Sequence, residues 1–255
     1  DFIIFSKLRL TKLHNLDIEK KPSKYEVHKH ILDIFLRDKN FFPTKIFGSF
    51  AIVIIDKNNN QISAVSDHMN TMQIYFKITD NSVLLASDPR KISKDVNEES
   101  LRKFLTYVNI EPHETFFENV KKIKQSHILR IEQNNISIRK YYSFSDIKKT
   151  RFKNDEDYAL EFKEIFSNSV LNQMKLCDQD ISFSLSGGLD SSSILCEAHE
   201  LNQGIKLEKN LHAHSAIFRG LSKADFALAD ESYFIDSVLQ YKKISGNTVT
   251  IANQG

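Results

Sequence analysis

The chain has 255 residues, of which 41% are hydrophobic and 27% charged, and its formal net charge is +2. These fractions are typical of a globular protein and exclude collagen, coiled coils and intrinsic disorder. The longest uncharged apolar run, residues 46–55, is too short to span a bilayer, so we expect no membrane partner.

The charged residues also argue against nucleic acid as a partner. The first 150 residues are net basic and the remainder net acidic, but the lysines are scattered without interleaved aromatic residues. Such a pattern is typical of solvated surfaces rather than of a nucleic-acid interface. Two cysteines, Cys177 and Cys196, in a chain without a recognisable signal peptide indicate a reducing environment, so we predict a cytoplasmic protein.

The first 145 residues carry the patterns of short strands, interrupted by two helices. Residues 24–37 repeat apolar side chains at helical spacing, and residues 97–106 begin with a capping asparagine. Residues 46–56 form a nearly continuous apolar run that ends in an asparagine-rich turn, which indicates a strand buried on both faces. We expect a meander of antiparallel strands in the first 90 residues and a hairpin after residue 127. The predicted meander strands are 2–10, 46–56, 61–66, 73–79 and 82–87, and the predicted hairpin strands are 128–132 and 136–142.

After a polar linker at residues 143–155, strands alternate with helices. The predicted helices are 155–171, 191–201 and 230–241, and the predicted strands are 180–185, 211–218 and 248–251. This alternation is typical of βαβ units and a parallel sheet. We therefore predict two domains, at residues 1–145 and 155–255.

The segment with the clearest chemistry is the loop at residues 186–192. Glycine is rare in this chain, at seven of 255 residues, and its one doublet is Gly187–Gly188, between a strand and a helix. Glycines there allow close approach of a ligand, and the N–H groups at the start of the helix attract anions. Asp190 beside a phosphate site calls for a cation such as Mg²⁺. The alternative is that Asp190 and the neighbouring serines only cap the helix.

Ser-Gly-Gly-Leu-Asp-Ser-Ser at residues 186–192 resembles the pyrophosphate loop of the asparagine synthetase family. Enzymes of that family cleave ATP between the α- and β-phosphates, adenylate a carboxylate and release pyrophosphate. The resemblance implies ATP and Mg²⁺ as cofactors, Asp190 as catalytic residue and Mg²⁺ ligand, and backbone contacts from Leu185 and Ala216 to adenine or ribose. The implied cofactor-binding residues are Leu185, Ser186, Gly187, Gly188, Leu189, Asp190, Ser191, Ser192 and Ala216.

The resemblance extends over most of the chain and implies its fold. Residues 50–56, 64–76 and 84–88 parallel the family's amidotransferase segment, usually Phe-Ala-x-x-x-x-Asp, Arg-Asp-x-x-Gly-x-x-Pro-Leu-Tyr-Tyr and Phe-Ala-Ser-Glu. Residues 211–218 and the pair Asp230-Glu231 resemble the second strand of the synthetase domain and the acidic pair after it. The implied fold is an α+β, Ntn-type antiparallel sandwich at residues 1–145, similar to type 2 glutamine amidotransferases. A parallel-sheet α/β ATP-pyrophosphatase domain, of the adenine nucleotide α-hydrolase-like type, follows at 155–255.

The amidotransferase segment departs from the family pattern. A class II glutaminase uses an N-terminal cysteine. This chain begins with Asp1 and has no cysteine in its first 170 residues, but trimming of the N-terminus would also explain that absence, so the other departures carry the expectation. The usual Leu-Asp-Gly-Met-Phe reads Ile-Phe-Gly-Ser-Phe at 46–50, so Phe47 replaces a carboxylate, and residues 7–11 replace an Asn-Gly-Glu segment. We therefore expect residues 1–145 to be a vestigial, structural glutaminase.

A synthetase without its own ammonia source needs another amine. The degenerate first domain most resembles that of lasso-peptide cyclases, which close a macrolactam by adenylating a side-chain carboxylate of a precursor peptide. The leading hypothesis is therefore such a cyclase, with a precursor peptide as substrate and a leader protease as partner. The alternatives are a glutamine-hydrolysing asparagine synthetase acting on small substrates, and an inactive nucleotide- or peptide-binding family member. In the family, a second Mg²⁺ carboxylate would follow Gly255, so we expect the C-terminal part to be missing and the chain alone to be inactive.

Overall fold

The computed structural model describes residues 1–80, 82–132, 135–205, 207–219 and 230–252. The chain divides into two compact units, an N-terminal unit of Asp1–Lys149 and a C-terminal unit of Thr150–Gly255. Within the described ranges, no helix is both long and apolar enough to cross a membrane.

The N-terminal unit contains two antiparallel sheets and two α-helices. The elements are β1 (Phe2–Leu13), α1 (Lys24–Arg37), β2 (Ile46–Asp56), β3 (Gln61–Ser66), β4 (Tyr75–Ile78), β5 (Val83–Ala86), α2 (Glu98–Leu105), β6 (Lys121–Lys122), β7 (His127–Glu132) and β8 (Asn135–Lys140). Strands β1, β2, β3, β7 and β8 form one sheet in that order, and β5, β4 and β6 form the other.

Strand β2 is buried on both faces, as its continuous apolar sequence predicts. Phe50, Ile52 and Ile54 point to one face, where they join a core that includes the apolar side of α1. Ala51 and Val53 point to the opposite face and pack with residues of both sheets. Because successive side chains of a strand alternate in direction, only an uninterrupted apolar run can supply two cores at once.

The predicted meander is wrong at the step from β3 to β4, whereas the antiparallel pairs β1–β2, β2–β3 and β4–β5 are as predicted. Strand β3 pairs with β7 rather than with β4, and β4 pairs with β5 and β6 in the second sheet. The cause is a turn that begins at Asp67, immediately after β3, and takes the chain out of the first sheet. Strand patterns show which residues alternate in direction, but they do not show which distant strand completes a sheet.

Gly48 is fixed by the backbone of β2. Its φ is +116°, and a Cβ at this position would lie 2.3 Å from the carbonyl oxygen of Arg9. The pairing of β1 with β2 shifts register at this point, between Leu10 and Lys12. Glycine is therefore required here for the close approach of two strands, whatever chemistry the domain performs.

The C-terminal unit contains a parallel three-stranded sheet in the order β11-β10-β9, with α-helices between its strands. The elements are α3 (Asp155–Lys175), β9 (Ile181–Ser184), α4 (Leu189–Gly204), β10 (Leu211–Arg219), α5 (Ser232–Lys242) and β11 (Ser245–Ala252). Leu185, Leu195, Ala213 and Ile235 form its main core. Helix α4 begins at Leu189, two residues earlier than predicted, because Gly188 itself occupies the N-cap position.

Candidate functional site

The loop at residues 186–192 leaves the carboxyl end of β9. The Leu185 side chain is 1% exposed, and the Leu185 N–H donates a hydrogen bond to the His214 carbonyl oxygen of β10 at 2.9 Å. The start of the loop is thereby fixed to two parallel strands. Ligand sites of open parallel sheets occur at this edge, where strands end and helices begin.

The two glycines of the loop serve different purposes. Gly187 has a φ of +90°, and a Cβ there would lie 3.0 Å from both the Cβ and the carbonyl oxygen of Glu231. Gly188 has an ordinary φ of −70°, and a Cβ there would meet only Ser186 Oγ, at 3.4 Å. The fold therefore requires Gly187, while the open space beside Gly188 is free for a ligand to approach the backbone.

Two serines of the loop hold its shape. Ser191 Oγ accepts a hydrogen bond from the Ser186 N–H at 3.2 Å and donates to the Gly188 carbonyl at 3.2 Å. Ser186 Oγ accepts from the Gly188 N–H at 3.3 Å. These hydroxyls belong to residues that the family resemblance implies as cofactor-binding, and in the structure they form an internal network that fixes the loop before any ligand binds.

The N-terminus of α4 carries no side-chain cap. Helices α1, α2 and α3 are capped by Ser23, Asn97 and Asn154, whose side chains accept N–H hydrogen bonds, whereas α5 resembles α4 in having no side-chain cap among the described residues. Asp190 is in the first turn of α4 and does not cap it, so the interpretation of this segment as a simple helix cap is wrong. The first-turn N–H groups of α4 have no intrahelical acceptor and point outward with the positive end of the helix dipole.

Two more groups of the first turn are available to a ligand. The Asp190 side chain is exposed, and among the described residues it forms no ion pair. Ser192 Oγ is buried and has no hydrogen-bond partner in the described part of the chain. A buried hydroxyl without a partner is costly, so a ligand or water that bonds to it stabilises this site.

One further predicted residue, Ala216, and two residues of the α5 start lie near the same edge of the parallel sheet. Ala216 is exposed on β10, two residues beyond the carbonyl that bonds Leu185, and pairs with Val249 of β11. Glu231 and Phe234, at the start of α5, contact the position of Gly187. The acidic pair Asp230-Glu231 indicates the start of α5 from the sequence, but no sequence pattern indicates that Phe234 lies against the loop.

In the N-terminal unit, the segment that resembles an amidotransferase is organised around Asp67. This carboxylate is 2% exposed and accepts hydrogen bonds from four backbone N–H groups. The donors are Phe50 at 3.2 Å, Met69 at 3.1 Å, Thr71 at 3.0 Å and Met72 at 3.1 Å. Asn70, in place of the pattern's glycine, adopts a φ of +57°. This aspartate therefore holds a turn.

Phe47 lies where the pattern has a carboxylate. Its side chain is 45% exposed, and Lys12 Nζ lies 5.8 Å from the centre of its ring. An aromatic ring beside a lysine gives a cation–π contact but no charge that could hold an ammonium group. The N-terminal unit also contains no cysteine, so its residues include no thiol nucleophile.

Known protein families match both units. Residues 30–142 match the glutamine amidotransferase domain family, and residues 161–254 match the asparagine synthase family. Each of these matches lies within one of the two units.

The similar proteins are distant and much longer than this chain. Asparagine synthetases (glutamine-hydrolysing) 1 and 2 of Bacillus subtilis are 23% and 25% identical over 69% and 87% of the chain, but these matches cover 28% and 30% of the relatives. Amidase chry2 of Gibberella zeae is 26% identical over 65% of the chain and 26% of its own length. The chain thus spans less than a third of these relatives. A solved glutamine phosphoribosylpyrophosphate amidotransferase of B. subtilis covers 98% of the chain and 60% of its own length, with 9% identity and a TM-score of 0.35.

Proposed function

We propose that the protein is an ATP-dependent amide ligase that adenylates a carboxylate and releases pyrophosphate. The observation that carries this proposal is the uncapped N-terminus of α4, with Gly188 and Asp190 beside it. A helix start that the fold leaves without side-chain acceptors suits phosphate oxygens, because its N–H groups and dipole favour negative charge. The match of residues 161–254 to the asparagine synthase family supports the same chemistry.

In this proposal each group of the loop has one task. The first-turn N–H groups of α4 bind phosphate oxygens. Backbone atoms of Leu185, which follows β9, and of Ala216, within β10, bind the nucleoside. The serine network holds these groups in place, so that little ordering free energy is lost when ATP binds.

The site also fits Mg²⁺. Asp190 is an exposed carboxylate in the same helical turn as the phosphate-binding N–H groups, and oxygen ligands of this kind are what Mg²⁺ prefers. Asp190 would hold the ion, which neutralises phosphate charge when bound. Without a cation, the negative charge of Asp190 would oppose phosphate binding at the same helix start.

Two candidates remain for the amine that completes the amide. The loss of a carboxylate at Phe47 favours an amine other than ammonia, as in lasso-peptide cyclases. The similarity to two glutamine-hydrolysing asparagine synthetases favours ammonia. A cyclase would act on a precursor peptide and work with a leader protease, and its first domain would be vestigial. An asparagine synthetase would act on a small amino acid, and its first domain would be a working glutaminase.

The test is pyrophosphate release by the whole protein that contains this chain, with Mg·ATP and carboxylate substrates. We expect AMP and pyrophosphate as products, and Asp190→Ala should reduce release at least about 100-fold, since a removed charge-stabilising group typically costs that much. Glu164→Ala, which removes an exposed carboxylate from α3, is the matched control and should keep full activity. ADP as product, or unchanged release by Asp190→Ala, would contradict the proposal. ATP binding without turnover would favour the inactive, nucleotide-binding alternative.

A further inference from the structure

The N-terminal unit contains a pocket that the proposed chemistry does not use. Its volume is about 430 Å³, and residues of the turn after β3, of the entry to β7 and of the segment after β8 line it. We call it the lysine pocket, because Lys122, Lys124 and Lys140 lie around it together with His127. All of its lining residues belong to Asp1–Lys149, so it is complete within one unit.

The charge of the lysine pocket is one-sided. Three lysines and a histidine line it, and the lining set includes no aspartate or glutamate. Within the ranges that the structure describes, none of these lysines pairs with a carboxylate, whereas Lys103 and Lys242 each do. Uncompensated positive charge around a concave surface attracts anions and concentrates them there.

The walls of the pocket are fixed by hydrogen bonds between distant segments. Asn70 Nδ2 donates to the Ile123 carbonyl at 3.1 Å, and Ser126 Oγ donates to the His68 carbonyl at 3.1 Å. Asn70 and Ser126 both have positive φ values, of +57° and +60°, which only a well-determined turn maintains. The pocket is therefore formed in advance, which reduces the entropy lost on binding.

The other lining groups favour a peptide over a simple inorganic anion. The amides of Gln73 and Gln125 can pair with peptide N–H and carbonyl groups, and Tyr142 and Phe144 provide aromatic surface, their rings 5.2 Å apart. The Asn70 Oδ1 atom has no hydrogen-bond partner among the residues that the structure describes, and it would accept an N–H. A phosphate ion offers neither N–H groups nor apolar surface.

We propose that the lysine pocket binds an acidic peptide segment, whose carboxylates pair with Lys122, Lys124 and Lys140 and whose backbone bonds the amides. This binding is independent of the nucleotide site and of the ligase chemistry proposed above. The ligand is defined by its chemistry: a short chain with clustered Asp or Glu and an aromatic or aliphatic side chain between them.

The experiment is fluorescence anisotropy with a labelled octapeptide that alternates Glu with Phe or Leu. Lys122→Gln combined with Lys124→Gln should weaken binding about tenfold, as two lost charge pairs imply. Lys29→Gln combined with Lys91→Gln removes the same charge from exposed positions outside the pocket, and it should change affinity less than about twofold. Thermal unfolding of all variants checks that they fold. If the Lys122→Gln, Lys124→Gln double variant does not fold, Lys140→Gln, at an exposed position of β8, takes its place.

Three outcomes would overturn the proposal. Equal weakening by the pocket pair and the control pair would show only general charge attraction. Equal binding of a peptide with Gln in place of Glu would remove the carboxylates from recognition. Competition by inorganic phosphate or by a single-stranded oligonucleotide at lower concentrations than the peptide would assign the pocket to phosphate groups instead.

Discussion

Asp67 directly follows strand β3 and Asp190 lies in the first turn of helix α4, and the structure uses the two carboxylates in opposite ways. Asp67 is buried, and its two oxygens accept four backbone N–H groups. Asp190 is exposed, and the N–H groups of its helical turn have no side-chain acceptor. The Asp67 carboxylate accepts the N–H groups of its own turn, whereas the Asp190 carboxylate lies beside N–H groups that donate to no side chain of the described residues. Open donors, rather than the presence of an acidic residue, distinguish the ligand site from the structural one.

The largest effect that this comparison predicts is on stability. Asp67→Ala should lower the free energy of unfolding of the N-terminal unit by about 3 kcal/mol or more, because four N–H groups lose a charged acceptor in a buried place. Asp190→Ala should change stability by less than about 0.5 kcal/mol, as exposed substitutions usually do. Urea unfolding followed by circular dichroism measures both. Equal losses in the two variants would contradict the distinction.

The glycine doublet gives the next largest difference. Gly187→Ala should lower stability by about 2 kcal/mol, since its φ of +90° is strained for other residues and its Cβ would press on Glu231. Gly188→Ala should leave the melting temperature nearly unchanged but weaken nucleotide binding, because the methyl group enters the space left for the ligand. Similar melting temperatures for the two variants would show that the fold does not require Gly187.

Helix capping provides a smaller test of the same idea. Asn154→Ala removes the side-chain cap of α3 and should cost about 1 kcal/mol of stability. The α4 terminus has no such cap to lose, so Ser186→Ala, which keeps the helix start intact, should cost less. Calorimetric unfolding of the two variants compares them, and a larger loss for Ser186→Ala would mean that the loop network stabilises α4 as a cap does.

The smallest predicted effect concerns pH. Burial among Phe50, Tyr141 and Tyr142 lowers the pKa of the His68 imidazole below its ordinary value of 6.5, and the nearby Asp67 only partly offsets this. The unfolded chain therefore binds the proton more readily, so stability present above pH 6.5 is lost as the pH falls below it. Unfolding in urea at pH 7.5 and 5.5 should show this loss, as the value of 6.5 implies. If the free energy of unfolding of a His68→Gln variant depends on pH as strongly as that of the unchanged protein, another group causes the loss. One such group is His28, whose pKa is also lowered.

The sequence predicted most elements because their signals are local. Residues 24–37 combine helical spacing with a capping box at Ser23, and the structure places α1 at the same bounds. The pairing of β3 with β7 could not be predicted, since it depends on a buried carboxylate that redirects the chain. For the candidate site, the loop residues were identifiable by motif. The sequence could not show which of these residues hold the loop and which leave space for a ligand. Gly187 is required because residues at the start of α5 lie against it, and this contact depends on the tertiary structure.

The central claim is that the start of α4 binds the phosphates of Mg·ATP. Titration of the isotope-labelled chain with Mg·ATP, followed through the amide resonances of residues 186–192, tests it most directly. We predict saturable shifts centred on Leu189, Asp190 and Ser191, reduced in Asp190→Asn and unchanged in Glu164→Gln. Shifts spread over the surface without saturation, or equal shifts in the Asp190→Asn variant, would contradict the claim.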